Sequence, residues 1–156
     1  MSGSRLQDFI QRQVQLHEDR NKIDALQRQI MDAFRNCDYD LVDSLTNRLY
    51  LDSSDAGGRC GIARDIAQRL IDADKDNISS RMKRYLLAQQ WLEKAESDAK
   101  SIPKRRDRNF ALANVYKQLS DLYHRAGDEE NWLKFLKKSN AFMPPELYSY
   151  DDDRCD

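Results

Sequence analysis

Residues 105–142 read RRDRNFALANVYKQLSDLYHRAGDEENWLKFLKKSNAF. Phe110, Leu112, Val115, Tyr116, Leu119 and Tyr123 recur at the spacing of one helix face, and the run stops at Ala126-Gly127-Asp128, a helix end followed at once by a capping residue. Trp132, Leu133, Phe135 and Leu136 carry the pattern on to Phe142, and Pro144-Pro145 prevents its continuation. The stretch predicts two helices, 105–126 and 129–142, joined by a turn so short that they must pack antiparallel, with Gly127 in the left-handed region.

The same grammar extends upstream. A helix from Ile78 or Ser79 to about Lys100, ahead of Pro103, is expected to bury Met82, Tyr85, Leu86, Ala88, Leu92 and Ala95. Before it, Ile62, Ile66, Leu70 and Ile71 mark a helix that runs to Ala73, and Ser53-Ser54-Asp55-Ala56-Gly57-Gly58 reads as a loop. Leu41, Val42, Leu45 and Leu49 follow a polar turn at 36–40. From Arg5 to Asn36 there is neither Pro nor Gly, and Phe9, Leu16, Ile23 and Ile30 recur every seventh residue. Arg12 and Asp19 interrupt the companion positions. Only the second half of this long helix, with Leu26, Ala33 and Phe34, therefore has a face wide enough for a core. No segment alternates as a strand does. The expected fold is all-α, about six antiparallel helices stacked as helical hairpins behind a long N-terminal helix. It forms one domain over 5–143, with a loose acidic tail over 144–156.

Composition agrees. The 156 residues are 40% hydrophobic and 34% charged with only five Gly and three Pro, too apolar for a disordered chain and too poor in turn residues for a sandwich or barrel. Twenty-six basic residues against 27 acidic ones leave no overall field to draw the chain onto nucleic acid or anionic lipid. Cys37, Cys60 and Cys155 lack the paired spacing of a zinc or redox motif, which suits reduced thiols in the cytoplasm or nucleus. No stretch approaches the roughly 20 apolar residues of a membrane span, and the start lacks a signal peptide's basic-then-apolar order. Neither a membrane nor a cofactor is expected.

The segment from Ala113 to Glu146 resembles a tetratricopeptide repeat, the helix-turn-helix unit of about 34 residues. Tyr116 stands at the family's tryptophan, Leu119 at its leucine, Ser120 at its glycine and Tyr123 at its tyrosine. Leu136 takes the aromatic position, Ser139 the second alanine and Pro144 the closing proline. Trp132 replaces a small alanine, so its indole must push the two helices apart or point elsewhere. Hairpin spacing extends the reading to units near 23–56 and 57–90, the first with Cys37-Asp38-Tyr39-Asp40-Leu41-Val42 as entry to its second helix. The resemblance implies a scaffold whose concave face holds a peptide or helix of a partner. One subset of the family grips a chaperone's C-terminal carboxylate, and the corresponding positions here hold Asn114, Lys117, Gln118 and Asp121. Asp121 puts an anion where that subset has an amide, so chaperone binding is not expected.

Asn114, Lys117, Asp121, His124 and Arg125 form a polar stripe on the predicted fifth helix, opposite Val115, Leu119, Leu122 and Tyr123. They are the expected partner-binding residues, weighed against an ordinary solvated face. Lys104, Arg105, Arg106 and Arg108 form the one dense basic cluster, a solvated loop or a contact for phosphates, with Phe110 as the nearby aromatic. Gly57-Gly58-Arg59-Cys60-Gly61 could cradle an anion beside an activated thiol, but no strand precedes it and no His lies near, so Cys60 is expected to pack as a small hydrophobe. His17 and His124 show no metal spacing, and the aromatic residues read as core. The expected function is a non-catalytic protein–protein interaction module or scaffold, with self-association through the N-terminal helix left open. The alternative is a nucleic-acid-binding adaptor using 104–108, and an enzyme based on Cys60 comes third.

Overall fold

The computed structural model describes residues 2–74 and 76–142 and is helical over 88% of them. Six helices follow in order: α1 Ser2–Arg35, α2 Tyr39–Asp52, α3 Ala56–Asp72, α4 Ile78–Lys100, α5 Arg105–Ala126 and α6 Glu129–Phe142. No strand occurs among the described residues. The tail 144–156, with Pro144 and Cys155, lies outside them. The chain divides into two compact units within α2, after Leu49.

In the first unit α1 behaves as its pattern requires. Leu6, Phe9, Leu16 and Ile23 are exposed, and only Ile30 and Ala33 near the C-terminal end are buried. The helix stops at Cys37, whose φ of 52° places it in the left-handed region, with its N–H on the Phe34 carbonyl and that of Asp38 on the Ala33 carbonyl. Phe34 and Tyr39 then meet edge to face across the turn, 6.2 Å between centroids. On α2, Val42, Leu45 and Thr46 are buried, and Thr46 Oγ1 is the one buried side-chain polar atom among the described residues that finds no hydrogen-bond partner. Thr46→Val keeps the shape and removes that unmet hydroxyl, so it should stabilise the protein by about 1 kcal/mol, read as a higher urea midpoint at unchanged slope.

In the second unit the side-chain contacts give the topology. Arg59 reaches Asp98 and Arg84 reaches Ile71, so α3 and α4 run antiparallel. Tyr123 meets Gln89 and Tyr116 meets Glu96, which makes α4 and α5 antiparallel. Ser120 donates to the Trp132 carbonyl at 3.2 Å and Ser139 to the Ala113 carbonyl at 2.8 Å, which makes α5 and α6 antiparallel as well. Two hairpins, α3–α4 and α5–α6, are thus stacked with α3 and α5 as parallel neighbours. They are unequal: α4 has 23 residues and α6 has 14, so the upstream unit runs past residue 90 to Lys100.

The serines resolve the expectation about Trp132. The two small side chains let the α5 and α6 backbones approach and satisfy their own hydroxyls across the crossing. The Trp132 indole is half-buried and lies 4.7 Å from the His124 ring instead of wedging the helices apart. Phe135 fills the interface by stacking on Tyr123 at 5.4 Å and on Tyr116 at 6.1 Å.

Two expectations need correction. Met82 and Leu86 are exposed, because the buried stripe of α4 is Arg84, Ala88, Trp91, Leu92, Ala95 and Asp98. Two ionised residues hold core positions there, and a reading that seeks apolar side chains rotates the helix away from them. Gly57 and Gly58 belong to the first turn of α3 and not to a loop, since Asp55 caps the helix by accepting the Gly58 N–H at 2.6 Å. A Cβ on Gly58 would sit 2.6 Å from Ser53 Oγ, so a larger residue there would make the serine side chain shift.

Gly127 has φ 82°, ψ 13° as expected, its N–H on the His124 carbonyl and that of Asp128 on the Tyr123 carbonyl. Nothing lies within 4 Å of a Cβ built there, so Gly127→Val meets only backbone strain. It should cost about 1–2 kcal/mol, visible as a lower urea midpoint.

Candidate functional site: a polar groove between α3 and α5

The parallel pairing of α3 with α5 has one register. Arg64 meets Gln118, and two turns further along Arg125 donates to the Ile71 carbonyl at 3.3 Å and pairs with Asp72 at 3.0 Å. Around the first of these ties the helices leave a groove of ≈ 490 Å³, lined by Gly61, Arg64, Asp65 and Gln68 of α3 and by Asn114, Lys117, Gln118 and Asp121 of α5. Gly61 has nothing within 4 Å of its Cβ direction, which keeps the α3 wall low at that end.

The floor is an interlocked set of polar side chains. Gln118, buried on α5, accepts from Arg64 Nε at 2.9 Å through Oε1 and donates from Nε2 to the Arg64 carbonyl at 2.9 Å and to Gln68 Oε1 at 3.2 Å. Both ends of its amide are therefore committed, and Arg64 is anchored through Nε. Arg64 is half-buried, and burial lowers its pKa from the ordinary arginine value. Asp65, Lys117 and Asp121 are exposed on the rim, which is thus of mixed sign.

The five stripe residues separate. Asn114, Lys117 and Asp121 line the groove, with Asn114 Nδ2 bonded to the Phe110 carbonyl at 2.9 Å. His124 is turned toward Trp132 of α6, and Arg125 ties α5 to the C-terminal end of α3. Five residues of the groove, Gly61, Arg64, Asp65, Gln68 and Gln118, were not among the expected partner-binding residues. Those of α3 carry no local signal, because only the α3–α5 pairing makes them face Lys117 and Asp121. Gln118 stands at one of the positions that the repeat resemblance links to ligand binding, but nothing along its own helix shows that its amide is buried against Arg64.

In the basic cluster Lys104 is the N-cap of α5 without a side-chain cap bond, and it is exposed together with Arg105 and Arg106. Arg108 is half-buried and donates from Nη1 to the Ile102 carbonyl at 3.2 Å, so it steadies the α4–α5 loop. Phe110 is 55% exposed beside them.

Cys60 is buried, and burial pushes its thiol pKa up, the reverse of what a nucleophilic cysteine needs. Near it Tyr50 donates its hydroxyl to Asp98 Oδ2 at 2.6 Å, and Arg59 Nε reaches Asp98 Oδ1 at 3.2 Å. Burial and this bond raise the Tyr50 hydroxyl to about 12, so the cluster is a structural tie between α2, α3 and α4. Among the described residues no group of three His, Cys, Asp or Glu side chains is placed to hold a metal ion, and no helix is long and apolar enough to cross a membrane. Comparison with protein-family models, curated proteins and solved structures gives no match.

Proposed function

We propose that this chain is a non-catalytic protein-interaction module, akin to tetratricopeptide-repeat scaffolds, that receives a peptide or helix of a partner in the α3–α5 groove. The observation that carries this reading is the groove itself: two parallel helices hold eight residues around ≈ 490 Å³, with amides fixed on its floor and charges of both signs on its rim. Such a surface recognises a polar segment by hydrogen bonds and charge placement, the mode in which a few oriented polar groups give specificity. A cytoplasmic or nuclear setting fits three cysteines that lack the paired spacing of a disulfide framework.

The test is affinity capture from the native organism with the wild-type chain and with Lys117→Glu/Asp121→Lys. This reversal keeps the net charge and touches two exposed side chains, so the melting temperature should hold while the captured partner falls at least tenfold. Arg125 is left intact, since its ion pair with Asp72 would confound the result.

The exposed run Lys104, Arg105 and Arg106 beside an exposed Phe110 favours a second reading as a nucleic-acid adaptor. It requires that Arg105→Glu/Arg106→Glu abolish capture, and that binding of generic RNA weaken steeply with salt.

A further inference from the structure

Arg64 carries a charge that the protein positions and does not neutralise. Its side chain makes one hydrogen bond among the described residues, from Nε to Gln118 Oε1 at 2.9 Å, and no carboxylate lies within ion-pair distance. Asp65 and Asp121 line the same groove, yet neither pairs with it. Arg84 and Arg59 are bonded to Asp76 and Asp98, and the half-buried Arg108 reaches a backbone carbonyl through Nη1, whereas the Nη atoms of Arg64 have no such bond among the described residues. Half-burial weakens the hydration of the Arg64 guanidinium, and its Nε is anchored on Gln118, while the side chain lines the groove with no hydrogen bond from its terminal nitrogens among the described residues. A carboxylate arriving there would regain the missing electrostatic partner without first ordering the arginine.

We propose that the groove selects a partner segment by an Asp or Glu side chain that docks on Arg64. The inference rests on the groove being the binding face. Phe110 lies on the same stripe of α5 as Asn114, Lys117 and Asp121, and it is exposed two turns before Gln118. At 1.5 Å per residue this places an apolar anchor about 12 Å from the Arg64 level. The segment therefore carries a large apolar residue one reach away from the acid: about two turns away if it is helical, about four residues away if it is extended. Asp65 and Asp121 on the rim repel further acids, so the recognised carboxylate sits among neutral or basic neighbours and not in an acidic run.

The test is selection from a library of random dodecapeptides displayed without a free C-terminus, against the full chain. Enriched sequences, synthesised with amidated C-termini, are then measured by fluorescence anisotropy. The expected result is one shared acidic position with an apolar partner at the stated spacing. Glu→Gln or Asp→Asn at that position should weaken binding to the wild-type chain at least tenfold, while the same change should make little difference on Arg64→Met. The peptide substitution is read on unaltered protein, so it stands even if Arg64→Met folds poorly. Peptides whose binding falls with Lys117→Glu but ignores loss of their acid overturn the Arg64 inference and leave the groove reading intact. Peptides indifferent to Lys117→Glu and Asp121→Lys, or no enrichment at all, overturn both. Selection of multiply acidic runs overturns the single-carboxylate form.

Discussion

Replacing Arg84 with methionine is expected to destabilise the protein by about 3–5 kcal/mol, the cost of leaving a buried ion without its partner. Arg84 is 2% exposed, and its guanidinium has two tasks. Nε and Nη2 grip both oxygens of Asp76 at 2.6 and 3.2 Å, and Nη1 donates to the carbonyls of Leu70 and Ile71, the latter at 3.0 Å. The last carbonyls of α3 have no helical partner of their own, so one side chain of α4 both caps α3 and pins the loop that joins the two helices. Methionine fills much of the volume but satisfies none of these groups. The carboxylate of Asp76, itself only 1% exposed in its side chain, then loses its guanidinium. Arg84→Met/Asp76→Leu should be less destabilised than Arg84→Met alone, because no buried carboxylate is left without its guanidinium. Urea unfolding of the two single variants and the double variant checks this. Additive losses would mean that the pair is not coupled.

Trp91→Ala should cost a comparable amount, about 3–5 kcal/mol, through the cavity that remains when a large core ring is deleted. Trp91 is 1% exposed at the centre of α4. Its ring meets Tyr50 edge to face at 5.5 Å, and Lys94 Nζ lies 4.2 Å from its centroid. The site joins the end of α2 to α4, and it lies beside the Tyr50–Asp98–Arg59 tie. Trp91→Phe keeps a ring against Tyr50 and should cost less than half as much. Trp132 is the internal control. It is half-buried and tilted against His124, so Trp132→Ala should lower the urea midpoint by clearly less than Trp91→Ala. Equal losses would show that the two indoles are packed alike.

These two residues also mark where the helices could be read and their faces could not. The bounds of α5 and α6 were legible because Gly127 and Asp128 are local chemistry: a left-handed stop and an N-cap act within a turn of themselves. The division of α1 into an exposed first half and a partly buried end followed from Arg12 and Asp19 interrupting its apolar series, another property of neighbours along one helix. On α4 the same method selected Met82 and Leu86, because a polar side chain counts as surface until its partner is known. Asp76 and the α3 carbonyls, which make Arg84 a core residue, lie on other elements.

By itself, then, the sequence determined the all-helical class, the number of helices, the turn at Gly127 and the polar stripe on α5, because periodicity, caps and breakers act over a few residues. The tertiary structure alone decided that Asn114, Lys117 and Asp121 face Arg64 and Gln68, and that Arg125 is tied to Asp72. The register that places Arg64 against Gln118 joins residues 54 apart in the chain, and no pattern within either helix records how two helix faces meet once α4 has been packed between them in sequence.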